Sequence, residues 1–213
     1  MTPLIKYFGG EKAVEIARRN IQIHGGVGYT KDYQAEKLLR DAMVLPIYEG
    51  TSQIQSLMAM KDTLTGIIAN PQAFAKSMAD AQWRSLRATD RLERRAAAVQ
   101  LACFKAQSYL ITRTAAAKFK LVKQRPMTVW MKEFAKDWDP KRDFSVAMLH
   151  AERLTKMLFD AAACELLWEQ CERFPERREV LERWLERAEP RSRAMLDEIT
   201  STGDALLAEL GGA

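Results

Sequence analysis

The chain has 213 residues, 47% hydrophobic and 29% charged, with 33 Lys and Arg against 28 Asp and Glu for a net charge of +5. This balance supports a sizeable buried core and excludes an intrinsically disordered chain. No run of about 18 apolar residues is present to span a bilayer, and residues 1–6 lack the sections of a secretory signal, so a cytoplasmic protein without membrane contact is expected. Three cysteines (Cys103, Cys164, Cys171) without Cys-x-x-Cys spacing, and only His24 and His150 beside them, point to reduced, packed thiols and no structural metal.

Glycine divides the chain. Gly9, Gly10, Gly25, Gly26, Gly28, Gly50 and Gly66 come early and the next is Gly203, so the interval between reads as long helices. Periodicity predicts helices near 11–23, 34–44, 51–69, 72–121, 144–172, 176–188 and 191–210. Pro71, Pro126, Pro140, Pro175 and Pro190 fall between periodic segments, where proline can start or stop a helix. Leu92, Ala96, Val99, Cys103, Ala106 and Leu110 step by four and three and predict one buried stripe. Phe144, Met148, Ala151, Leu154, Leu158, Ala161, Glu165 and Trp168 predict a second, with one polar intruder. Without a segment of strict two-residue alternation, the fold class is all-α, a bundle with coiled-coil-like packing.

Residues 84–125 carry eleven Lys or Arg against Asp90 and Glu93, whereas residues 160–213 are rich in acids. Two explanations stand. The faces are solvated and belong to neighbouring antiparallel helices of opposite charge, with exposed ion pairs worth about 0–1 kcal/mol each. Alternatively, the basic stretch is a surface for nucleic acid or for the phosphates of an acyl carrier. The modest total charge and the lack of interleaved aromatics favour ion pairs, so nucleic acid is not an expected partner.

Residues 22–55 differ in kind. Gln22-Ile23-His24-Gly25-Gly26-Val27-Gly28-Tyr29-Thr30 is followed by Arg40-Asp41-Ala42 and then by Ile47-Tyr48-Glu49-Gly50-Thr51-Ser52-Gln53-Ile54-Gln55. Gly25-Gly26 reads as a helix C-terminal stop or as a turn whose amides hold phosphate. Glu49, after Pro46 and before the Thr51 or Ser52 cap, interacts with a helix N-terminus or serves as a general base. The residues alone leave both pairs of readings open.

Taken together, in this order and spacing, these motifs closely resemble the C-terminal part of acyl-CoA dehydrogenases, over residues 2–64. The remainder resembles, less specifically, the extra helical region of the larger bacterial members. The resemblance implies residues 1–70 as a segment of the catalytic bundle and 71–213 as a helical C-terminal extension. It implies that Glu49 removes the α-proton of an acyl-CoA thioester while hydride passes to FAD, giving a trans-2-enoyl-CoA. The Glu49 amide would bind the thioester carbonyl, Gly50 would leave room for the acyl chain and Tyr48 would line its cavity. Gln22, Ile23, His24, Gly25 and Gly26 match one FAD-contacting stretch and Thr51, Ser52 and Gln53 another, with His24 a backbone-adjacent residue rather than an acid or base. The implied partners are acyl-CoA and an electron-transfer flavoprotein.

Gln34 stands where many members have proline, which should affect only how the next helix begins. The N-terminal helical domain, the β-domain and the early bundle helices of the family have no counterpart in these 213 residues. The expectation is therefore a fragment, a split-gene product, or a subunit complemented by a partner, and a homo- or hetero-oligomer. A second functional class is a non-catalytic helical interaction or scaffold subunit that keeps the motif residues and binds nucleic acid through its basic stretch.

Overall fold

The computed structural model describes residues 2–122 and 144–211, and within that set the chain is helical with no strand. The helices are α1 (Thr2–His24), α2 (Ala35–Ala42), α3 (Ser52–Ala69), α4 (Pro71–Arg87), α5 (Arg91–Val122), α6 (Ser145–Leu149), α7 (Ala151–Arg173), α8 (Arg178–Ser201) and α9 (Asp204–Gly211). Short 3-10 turns occupy Gly25–Gly28, Lys31–Tyr33 and Pro175–Arg177. The described chain divides into two compact units, Met1–Lys61 and Asp62–Ala213, with the division inside α3.

In the second unit the α5 stripe is buried as the sequence predicts: Leu92, Ala96, Val99, Cys103, Ala106 and Leu110 are all 5% exposed or less. They meet Cys164 and Cys171 of α7 and Leu181, Leu185 and Ala188 of α8, with Leu167, Trp168 and Trp184 at the margin. Each fully buried Leu or Val contributes about 1.5–3 kcal/mol through removal of apolar surface from water. The second stripe is rotated from its predicted line. Fully buried positions on and beside α7 run Ala147, Ala151, Leu154, Met157, Asp160, Cys164, whereas Leu158 and Ala161 are only half-buried.

Three helix limits differ from expectation. The predicted helix 72–121 is two helices, α4 and α5. Asp90 begins the second by accepting the Leu92 amide at 2.7 Å while Arg178 donates to its other oxygen at 2.8 Å. Burial works to raise the Asp90 pKa, but the Arg178 bond and the amides of Leu92 and Glu93 outweigh it and hold the carboxyl below its usual value. Segment 144–172 turns at His150, between α6 and α7. Pro190 does not end a helix: α8 runs through it to Ser201 and stops at Thr202-Gly203, where Gly203 has φ +100°. Pro190 lies on the exposed side of α8, so the carbonyl that loses its amide partner there can be hydrated.

Opposite charge does bring the basic and acidic segments together. Arg84 pairs with Glu165 at 3.3 Å, Arg91 with Glu182 at 3.4 Å, Arg95 with Glu189 at 3.1 Å and Arg113 with Asp204 at 2.5 Å. The expected antiparallel arrangement is corrected for the main pairing. Asp90–Arg178, Arg91–Glu182 and Arg95–Glu189 advance together along both chains, so α5 and α8 are parallel. The reason is topological: α7 runs back against α5, and α8, antiparallel to α7 through Asp160–Arg191 and Arg153–Glu198, regains the direction of α5. Lys118, Lys120, Lys123 and Arg125 lie outside the residues whose side chains are described.

The cysteines are free and buried, and burial pushes the Cys103 and Cys164 thiols up to about 12, where they stay protonated. His150 is 1% exposed. Burial, then the nearby Arg153 charge, lowers its pKa from the ordinary 6.5. The unfolded chain therefore binds more protons at this site than the folded one as pH falls below 6.5. The stability contribution is full above that value and declines as pH drops through 6.5 towards the lowered folded value. Urea denaturation across pH 7.5 to 5 is expected to show falling stability, and His150→Gln should flatten that slope. An identical slope in the variant would contradict this account.

Candidate functional site

All the candidate residues belong to the first unit. α1 ends at His24, and the chain turns at once through Gly25 with φ +66° into the 3-10 turn. His24 Nδ1 sits 2.9 Å from the Asn20 carbonyl, one turn back, and its ring lies 5.4 Å from that of Tyr33. Its local contacts are thus with backbone and a neighbouring ring. Gln22 and Ile23 are exposed, Ile23 at 82%. A Cβ at Gly25 or Gly26 would meet nothing within 4 Å, so this backbone faces open space. Gly28 is the contrast: a Cβ there would lie 2.7 Å from the Ile21 carbonyl, so a close return over α1 requires glycine.

The passage into α2 is made by Gln34 at φ +50°. Proline is fixed near −65° and cannot adopt that conformation.

Residues 43–51 form a second turn held against α1. Lys6 Nζ donates to the Leu45 carbonyl at 2.5 Å and stands 4.4 Å from the centre of the Tyr48 ring, a cation–π contact worth about 0.5–1 kcal/mol at an exposed site. Gly10 lets the turn approach, since a Cβ there would be 3.2 Å from Leu45 and Pro46 backbone atoms. Ser52 Oγ donates to Glu11 Oε1 at 2.6 Å, fastening the head of α3 to the same helix. The Ser52 amide donates to the Pro46 carbonyl at 2.9 Å and closes the turn.

At the centre of this turn Glu49 has φ +52° and Gly50 φ +95°. A left-handed conformation costs a residue with a side chain about 1–2 kcal/mol, so surrounding contacts must hold it. Tyr48 and Glu49 are exposed and Gly50 is half-buried. Thr51 caps α3 with its hydroxyl, which accepts the Ile54 amide at 3.3 Å. The structure thus presents two segments, 22–26 and 48–53, each pairing a positive-φ glycine turn with a helix end. Lys6, Glu11 and Gln55 also build the second turn, although no separation in sequence marks Lys6 or Glu11 as its neighbours.

A cavity of about 660 Å³ lies in the second unit, lined by Asp80, Arg84, Gln100, Phe104, Leu158 and Glu165 among others. None of the motif residues lines it. Among the described residues no group of three or more His, Cys, Asp or Glu is placed to hold a metal ion, and no helix is long and apolar enough to cross a membrane.

The first unit leaves Ile5, Ile16, Ile23, Leu38, Ile47, Ile54 and Met58 between 47% and 82% exposed. Ile21, Leu39 and Leu57 are half-buried. So much apolar surface on about sixty residues is expected to drive association of the purified chain. Light scattering on a size-exclusion column should report a mass above that of one chain, and a stable monomer at micromolar concentration would refute the expectation.

Known proteins resemble this chain over the same residues that carry the motifs. Residues 1–64 match the family model "Acyl-CoA dehydrogenase, C-terminal domain". An acyl-CoA dehydrogenase of Bacillus subtilis is 51% identical over 63 residues, 30% of this chain and 17% of that protein. A 3-(aryl)acrylate reductase of Clostridium sporogenes is 48% identical over 61 residues, 29% of this chain and 16% of the relative. The chain therefore matches only about a sixth of the length of these relatives. The crystal structure of an acyl-CoA dehydrogenase complexed with FAD from Bacillus anthracis superposes on 98% of this chain and 34% of its own, with TM-score 0.62 and 16% identity, a likeness of fold. Residues 1–64 of this chain are thus similar to the C-terminal domain of acyl-CoA dehydrogenases.

Proposed function

We propose that the chain is the C-terminal part, or a subunit, of an FAD-dependent acyl-CoA dehydrogenase that converts an acyl-CoA thioester to a trans-2-enoyl-CoA. In this reading residues 1–70 are a segment of the catalytic bundle and 71–213 a helical extension. The observation that carries it is the Glu49-Gly50 turn, where an exposed carboxylate stands on a left-handed residue directly before the head of an 18-residue helix. That combination is unusual for a mere surface acid, because the conformation is costly and three side chains from other segments brace it.

The residues present fit the flavin. The open Gly25-Gly26 backbone can approach a pyrophosphate without a side chain intervening. Thr51, Ser52 and Gln53 lie at the positive end of α3, which favours an anion, and there the Gln53 amide has no partner among the described residues. Gln22, Ile23 and His24 complete the first stretch. When bound, FAD accepts the hydride.

The chain's own part in the reaction is positional and acid–base. Glu49 takes the α-proton through its carboxylate. Its amide, which donates to none of the described residues, is free to bind the thioester carbonyl and stabilise the charge that develops there. Gly50 puts no side chain beside the acyl chain, and Tyr48, steadied by Lys6, forms a wall. The protonated carboxyl can equally return the α-proton in the reducing direction, by microscopic reversibility. Acyl-CoA is the proposed substrate, an electron-transfer flavoprotein the proposed electron partner, and the remaining dehydrogenase domains or a complementary subunit the proposed partner for assembly in the cytoplasm.

The test is the visible spectrum of the chain purified with whatever accompanies it. Oxidised-flavin bands that bleach on addition of an acyl-CoA are expected. A preparation that takes up no FAD, alone or with the remaining dehydrogenase domains, would sink the catalytic reading and leave the scaffold role.

A further inference from the structure

We infer that Gln55 is a positioning residue for Glu49, holding the backbone of the candidate base in its left-handed conformation. The inference rests on the reading of Glu49 as the base and extends it to a residue with no assigned role. Gln55 is 9% exposed and lies in the first turn of α3. Its side chain folds back over the helix end, and Nε2 donates to the Glu49 carbonyl oxygen at 3.0 Å.

The direction of this bond separates it from ordinary capping. A helix N-terminus presents unpaired amides, and a glutamine serving as a cap uses its oxygen to accept from an N–H. Gln55 instead gives a donor to a carbonyl in the preceding turn. The beneficiary is therefore the Glu49–Gly50 peptide, not the helix.

Gly50 fits the same account. A Cβ at Gly50 would stand 2.7 Å from Gln55 Nε2, so the space left by the missing side chain is where the Gln55 amide sits. The Gln55 bond fixes the peptide plane after Glu49, and the Ser52 amide closes the turn on the Pro46 carbonyl at 2.9 Å. With that plane held, the Cα–Cβ bond of Glu49 has a defined direction. A base must lie within hydrogen-bond reach of the proton it removes, and a displacement of about 1 Å can cost about 10²-fold in rate. Alanine at 55 would remove the bond, whereas glutamate would keep the shape but set a carboxylate oxygen against the carbonyl.

The test uses the full chain, isotope-labelled, and reads the Glu49 and Gly50 backbone resonances and the Glu49 HN–Hα coupling by NMR. Gln55→Ala should move or broaden these signals while those of the Gly25–Gly28 turn and of α5 stay in place. Gln55→Glu should show the same displacement at pH 7. It should return towards the wild-type pattern below about pH 4.3, where the protonated carboxyl is again a donor. The wild-type chain titrated over the same range supplies the correction for Glu49's own ionisation. Glu49 signals at wild-type positions in both variants at pH 7 would overturn the inference. So would loss of the fold in both, which would make Gln55 a packing residue. None of these readouts needs flavin or turnover, so their failure is distinguishable from failure of the Glu49 assignment, which rests on activity.

Discussion

Replacing Glu49 by glutamine in the flavin-loaded assembly is expected to lower acyl-CoA turnover by about 10²–10⁴-fold, the usual contribution of a positioned general base. The flavin spectrum should be unchanged, because the proposed cofactor contacts are made by residues 22–26 and 51–53. Glutamine keeps the size of the side chain, and the bond from Gln55 goes to the main-chain carbonyl of residue 49, so the turn should persist. The substitution thus isolates proton transfer from backbone geometry. Stopped-flow bleaching of the flavin by acyl-CoA is the direct measurement, since it reports the chemical step before any electron partner acts. Bleaching at the wild-type rate would remove Glu49 from the mechanism.

The largest expected effect on stability lies in the second unit. Arg191 holds Asp160 with two bonds, Nε to Oδ2 at 2.7 Å and Nη2 to Oδ1 at 2.5 Å, and Asp160 is only 2% exposed. Arg191→Ala would leave a buried carboxylate without this partner, and breaking such a pair from one side costs about 3–5 kcal/mol. Chemical denaturation should show that loss. Replacing both partners with apolar residues, Asp160→Leu with Arg191→Met, should recover most of it, because neither desolvated charge then remains. A single variant within about 0.5 kcal/mol of wild type would show that the pair is not needed to hold α7 on α8.

The same pair shows where reading the sequence stops. Asp160 sits on the buried line of α7, yet a lone acid in a helical sequence carries no mark of a partner 31 residues away. Apolar periodicity consequently predicts a stripe to one side of the buried line, through Leu158 and Ala161. On α5 no charged residue interrupts the buried line, and the predicted stripe is the observed one. The break at residues 88–90 carries no local signal for a related reason. It contains neither glycine nor proline, and Asp90 acts as a helix start through Arg178, far along the chain. Pro190 misled in the opposite sense, because an exposed helix face tolerates the missing amide.

In the first unit, the order Gly-Gly-x-Gly, Arg-Asp-Ala, Glu-Gly-Thr was sufficient to single out the two turns and to indicate a family, because backbone conformations of this kind demand particular residues at particular places. Chain order alone could not say that Lys6 and Glu11 brace the second turn, or that Gln55 reaches back to Glu49. What the amino-acid sequence determined by itself was local: helical class, the α5 core face, and the glycine turns, all set by periodicity and by main-chain sterics within a few residues. What tertiary structure decided was which distant side chains meet, the parallel course of α5 and α8, and the burial of Asp160. Those depend on contacts between helices far apart in the chain, whose free energies appear only once the helices have packed.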